Sequence, residues 1–108
     1  MATSASEARQ VPLAQSVSVT EDELVILLLD GRTLSIPLAW YPRLLHGTQA
    51  EREKWELIGR GIGVHFPDLD EDISIEHALD GVPSGENADS LRRWMDSRRD
   101  AAQQSNAD

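Results

Sequence analysis

Residues 23–36 of this chain read ELVILLLDGRTLSI, and no other stretch limits the fold so strongly. The six apolar residues 24–29 leave no polar face, and Asp30-Gly31 follows at once, a dipeptide that accepts the positive φ values of a tight hairpin turn. The run falls far short of the roughly 20 residues that a membrane helix needs. It is therefore expected as one arm of a hairpin that returns through Thr33-Leu34-Ser35-Ile36. Upstream, Val17 and Val19 alternate with Ser18 and Thr20 until Glu21-Asp22 interrupts them, which extends the hairpin to a three-stranded antiparallel meander. A middle strand that is apolar on both faces calls for cover on both, by helices on one side and by the C-terminal segment or another chain on the other.

Pro37 cannot donate to a ladder and ends the third strand. A short helical turn follows Pro42 with Leu44 and Leu45 inward, and Gly47 closes it. Thr48 and Glu51 spell a capping box, which predicts a second short helix through Trp55. Gly59, Gly61 and Gly63 then punctuate a stretch in which Ile62, Val64 and Phe66 alternate. This predicts a fourth strand whose other face, carrying His65, is bare or lies close to a neighbouring backbone. After the acidic turn Asp68-Leu69-Asp70, Asp72 is placed to cap a helix of about two turns that buries Ile73 and Leu79 and stops at Gly81. Pro83-Ser84-Gly85 reads as a linker, and a last helix from about Ser90, capped by Asp89, carries Leu91, Trp94 and Met95 on one stripe. The resulting expectation is a small two-layer α+β domain: a meander plus a fourth strand, short helices on one face and a C-terminal amphipathic helix. Residues 1–14 and 103–108 read as fraying ends, 15–82 as the domain, and 83–102 as linker and helix.

Charge narrows the function classes. Nineteen acidic side chains oppose ten basic ones, a formal net charge of −9, and residues 68–86 hold seven acids and no base. Such a chain repels phosphate backbones, so direct nucleic-acid binding is not expected, and a basic partner is. Arg92, Arg93, Arg98 and Arg99 share their helix with Asp89, Asp96 and Asp100 and read as a solvated face. With no cysteine there is no disulfide, thiolate catalysis or thiolate metal site. The N-terminus lacks the basic and apolar regions of a signal peptide, which points to the cytoplasm. Asp68, Asp70 and Asp72 imitate the first half of a calcium loop, but Ile73 stands where its glycine belongs and Leu79 where its glutamate belongs. His46, His65 and His77 share no spacing that would place two imidazoles on one helix face. No phosphate loop, nucleophile elbow or dinucleotide fingerprint is present, so no cofactor and no catalytic residue is expected.

The order of these features resembles a known family. The Asp30-Gly31 turn, Pro37, Tyr41-Pro42-Arg43-Leu44, Trp55, Gly59 and Gly61, His65 with Pro67, Asp70-Glu71-Asp72-Ile73-Ser74, and Leu79 with Gly81 together look like the bacterial family catalogued as domain of unknown function 2442, over residues 17–81. Phe66 stands where members often carry tryptophan. The resemblance implies a small α+β fold, with a sheet built largely from the hairpin strands. It also implies a setting in which relatives are commonly encoded beside a small basic protein, a layout that looks like a type II toxin-antitoxin pair. It brings no catalytic residues.

Three functions remain in view. The first is a non-enzymatic interaction module, the acidic, antitoxin-like partner of a small basic protein, binding through Asp68, Asp70, Glu71, Asp72, Glu76, His65 and Trp94. Trp94 reads equally as an anchor for a partner or for its own domain. The second is a metal- or ligand-dependent small enzyme centred on His65 with Asp68 and Asp70. The third is an acidic regulatory or DNA-mimicking subunit acting through residues 68–86. Self-association through a sheet edge is compatible with all three, and no membrane partner is expected.

Overall fold

The computed structural model describes residues 11–106, with side chains as far as residue 101. The reading of the two ends as fraying lies outside the described residues for positions 1–10, 107 and 108. Among the described residues the chain forms two three-stranded antiparallel sheets, a 3-10 turn, three one-turn helices and one long helix.

The predicted meander is the first sheet. It consists of β1 (Ala14–Val19), β2 (Glu23–Leu28) and β3 (Thr33–Pro37), in that spatial order. Val17 faces Ile26, Val19 faces Leu24, and Leu24 faces Ile36, so one register collects the buried side chains on a single face. Val25 and Leu27 on the opposite face are half-buried. Asp30 secures the turn by accepting from the Arg32 backbone N–H at 3.0 Å, while Gly31 takes φ +95°. β1 begins at Ala14, earlier than the Val17 start expected from alternation. Its first residue is 1 % exposed and donates its N–H to the Gly61 carbonyl at 2.8 Å.

After the 3-10 turn Leu38–Trp40 come α1 (Pro42–Leu45) and α2 (Gln49–Arg52). The capping box forms as expected, with Thr48 Oγ1 accepting from Glu51 N and the Glu51 carboxylate accepting from Thr48 N. The helix stops at Arg52 and does not reach Trp55. Its four residues bury nothing, so no packed face rewards another turn. Trp55 and Leu57 instead pack toward the core in alternation with exposed Glu56 and Ile58, which makes a strand, β4 (Glu56–Ile58).

The predicted fourth strand is β5 (Gly63–Phe66), the centre of a second sheet between β4 and β6 (Glu71–Ser74). Val64 and Phe66 are fully buried, whereas Ile62 lies just outside the strand at 57 % exposure. The helix predicted from Asp72 is not there. Residues 71–74 pair with β5, and Ser74 caps the shorter α3 (Ile75–Leu79) by accepting from His77 N at 3.2 Å. Backbone does approach the glycines closely: a Cβ on Gly63 would sit 2.9 Å from the Ile73 carbonyl oxygen, and one on Gly61 2.5 Å from that of Ala14.

The long helix α4 (Ala88–Asn106) starts two residues before Ser90, and Asn87 caps it by accepting from Ser90 N at 2.7 Å in place of the expected Asp89. It also takes in residues 103–106, read from sequence as tail. The buried faces of both sheets, with Leu38, Tyr41, Leu44, Leu69, Ile75 and Ala78, close one hydrophobic core. No helix among the described residues is long and apolar enough to cross a membrane.

Candidate functional site

The carboxylates of the acidic segment 68–86 take separate partners, although Asp70, Asp72 and Glu86 all lie close enough to Glu71 for their charges to act on it. Asp68 pairs with Lys54 at 3.1 Å. Asp70 adopts φ 50°, a left-handed conformation that aspartate tolerates. Its carboxylate lies 3.5 Å from Arg43 Nη1, and its carbonyl accepts from the same nitrogen at 3.1 Å. Asp72 pairs with His65 Nδ1. Glu76 is exposed in the first turn of α3. The grouping of His65 with Asp68 and Asp70 is therefore not assembled: Asp72, the residue directly across the strand pair, takes the imidazole. The three alternate aspartates likewise find Lys54, Arg43 and His65, and no group of three potential metal ligands occurs among the described residues.

Two patterns emerge that the linear sequence hides. The first is the outer face of the second sheet. The register aligns Glu56, His65 and Asp72 in one row across the three strands, and Ile58, Gly63 and Ser74 in the next. Ile58 and Ile62 are exposed there, and with Asp72, Ser74 and His77 they line a shallow depression of about 280 Å³. Alternation in residues 62–66 placed His65 on this face. Glu56 and Ile58 were missed because their strand was read as the end of a helix and the loop after it.

The second pattern is a polar clamp at the root of α4. Glu86, whose side chain is 7 % exposed, pairs with Arg43 and accepts from Ser90 Oγ. The Arg43 hydrogen bond holds the Glu86 carboxyl below the usual range. The Arg43 guanidinium lies 5.2 Å from the Trp94 ring centroid, and that of Arg98 lies 4.6 Å from it. Arg98 in turn makes two 2.8 Å bonds to Glu51, whose carboxyl is held at about 2, chiefly by that hydrogen bonding. Of the two readings open for Trp94, the structure has the second: the ring is half-buried against its own domain between two arginines.

Beside the clamp lies a cleft of about 200 Å³ lined by Tyr41, Glu71, Asp72, Ser74, His77 and the 82–85 segment. Burial pushes the Glu71 carboxyl up to about 7. Arg43 pulls the other way, and Glu86, Asp72 and Asp70 add to the rise. Its folded value thus exceeds the ordinary 4.5, so the folded state holds this proton more tightly than the unfolded chain does. The stability linked to Glu71 is present in full below about 4.5 and is lost as pH rises through about 7. Glu71→Gln is accordingly expected to raise the melting temperature at pH 8 and leave it nearly unchanged at pH 4. A thermal melt at each pH checks this.

The family described as "Protein of unknown function (DUF2442)" matches residues 14–84. A crystal structure of a protein of unknown function from Rhodospirillum rubrum is similar, with a TM-score of 0.63 and 22% identity, over 71% of this chain and 95% of that one. A solution structure of the uncharacterized protein CV0863 from Chromobacterium violaceum is also similar, with a TM-score of 0.59 and 25% identity, over 80% of this chain and 75% of that one. None of the curated proteins matches the chain.

Proposed function

We propose that this chain, which belongs to the DUF2442 family, acts by binding another protein of basic character on the outer face of its second sheet. One observation carries the reading: Ile58 and Ile62 stand exposed and line a shallow depression, with the carboxylates of Glu56 and Asp72 aligned across the same sheet face. An apolar centre with a charged rim is the usual anatomy of a docking surface. The acidic side chains speed and orient encounter with a positive partner. The family resemblance implies a small basic protein encoded nearby, which would have the matching charge, and an antitoxin-like role would follow from that pairing.

The test is co-expression with the product of the adjacent gene. A complex is expected at low salt that weakens as salt rises, and Ile62→Lys should weaken it at least about tenfold by removing an apolar anchor and adding a positive charge against a basic partner. Ile62 is exposed, so the substitution leaves the core untouched. A complex indifferent to both salt and Ile62→Lys would place the partner elsewhere. The competing enzymatic reading now rests on the His65–Asp72 pair. It predicts a turnover that His65→Ala abolishes, which the docking reading does not.

A further inference from the structure

The cleft beside the second sheet contains an unusual combination. Tyr41 is 3 % exposed, and its hydroxyl is shut off from solvent with no hydrogen-bond partner. A buried hydroxyl without a partner is unfavourable, and a folded protein retains one where something else completes it. The lining is acidic: Glu71 and Asp72 contribute to the cleft, and neither arginine nor lysine does. Ser74 and Ser84 add hydroxyl oxygens that already accept from the backbone N–H groups of His77 and Glu86, and each has a further lone pair. The Arg43 guanidinium nearby is already committed to Glu86 and the Asp70 carbonyl.

We propose that this cleft receives a primary ammonium group, the end of a lysine side chain carried by the basic partner. The acceptors come from three separate segments, around Tyr41, Glu71 and Ser84, which suits the three diverging N–H bonds of an ammonium better than the flat fork of a guanidinium. Val82 and Pro83 offer an apolar wall to the methylene stem. The cleft shares Asp72, Ser74 and His77 with the depression on the sheet face, so one bound surface can cover Ile62 and send a side chain into the cleft. The inference rests on the docking reading and adds the chemical group recognised.

An ammonium needs Glu71 ionised. The groups facing that carboxyl are Tyr41, Arg43, Asp70, Asp72 and Glu86, with His77 in the same cleft, and their balance is negative. Binding should therefore strengthen as pH rises from 6 to 8. The same carboxyl that costs stability when ionised and empty becomes favourable when paired.

The experiment is a titration of the full chain with n-butylammonium chloride, followed by backbone amide shifts. Saturable shifts are expected around residues 41, 71 and 84, with none from n-butanol, which lacks the charge, or from tetramethylammonium, which lacks the N–H donors. Glu71→Gln and Tyr41→Phe should each weaken binding at least about tenfold while melting no lower than the parent. Absence of saturation, equal binding of tetramethylammonium, or parental affinity in Tyr41→Phe would overturn the proposal. Ile62→Lys separates the two ideas. If the basic partner binds in an Ile62-dependent manner but butylammonium does not, the cleft inference fails alone. If butylammonium binds but no partner engages the sheet face, the docking reading fails, and with it the partner as carrier of the lysine, while the cleft's recognition of an ammonium group stands.

Discussion

Arg43→Ala is expected to lower the unfolding free energy by about 2–4 kcal/mol, because it strands a nearly buried carboxylate. The Glu86 side chain is 7 % exposed and Arg43 is 16 % exposed, so water can replace little of what the guanidinium supplies. The same change removes one of the two cations flanking Trp94 and the donor to the Asp70 carbonyl. The effect should be visible in two ways. Urea denaturation should show a lower midpoint, and hydrogen exchange should show α4 losing protection ahead of the sheets, since its root is held by this clamp. The double substitution Arg43→Met with Glu86→Leu should recover most of the loss, because it removes both charges together. If the single variant were as stable as the parent, the clamp would be ornamental and α4 would have to be held by Arg98 and Glu51 alone.

Gly61→Ala is expected to cost at least about 3 kcal/mol, through two effects that a second glycine separates. Gly61 has φ +114°, which L side chains rarely adopt, and a Cβ there would lie 2.5 Å from the Ala14 carbonyl oxygen and 2.9 Å from its nitrogen. The Ala14 N–H to Gly61 carbonyl bond at 2.8 Å is where the first strand of one sheet meets the turn of the other. A methyl group pushes these backbones apart. Gly31→Ala shares the positive φ but meets nothing within 4 Å, so it should show the conformational cost alone, about 1–2 kcal/mol. Equal losses in the two variants would mean that the junction between the sheets yields freely.

Much of the fold was legible because local chemistry and tertiary need agreed. In the meander, an apolar run, a turn dipeptide and an alternating strand all favour the same hairpin, and nothing in the rest of the molecule opposes it. The Thr48–Glu51 capping box is local by nature and formed as read. Two assignments failed where the deciding interaction was remote. Residues 71–74 carry two acids and one apolar side chain, a poor strand composition, and Asp72 resembles a helix cap. They are a strand because β5 offers them a complete ladder and Ile73 a place in the core. Trp55 was drawn into the preceding helix because its alternation with Glu56, Leu57 and Ile58 is only four residues long.

The acidic segment shows the same division at the level of function. That residues 68–86 hold seven acids and no base is a property of the sequence, and it is the ground for proposing a basic partner. Which acids remain available is not written there. Lys54 takes Asp68, Arg43 takes Glu86 and approaches Asp70, and His65 takes Asp72, each through a contact that only the folded chain creates. Trp94 likewise has the same stripe of neighbours whether its helix serves a partner or its own domain. The arginines that settle the matter include Arg43, half the chain away. Sequence alone determined the meander, its turn, the second helix cap and the excess of negative charge, because these depend on near neighbours or on a sum. Tertiary structure decided the second sheet, the docking of the last helix and the pairing of each carboxylate. Those depend on which distant groups are brought within a few ångströms, and among the pairings burial strengthens chiefly that of Arg43 with Glu86.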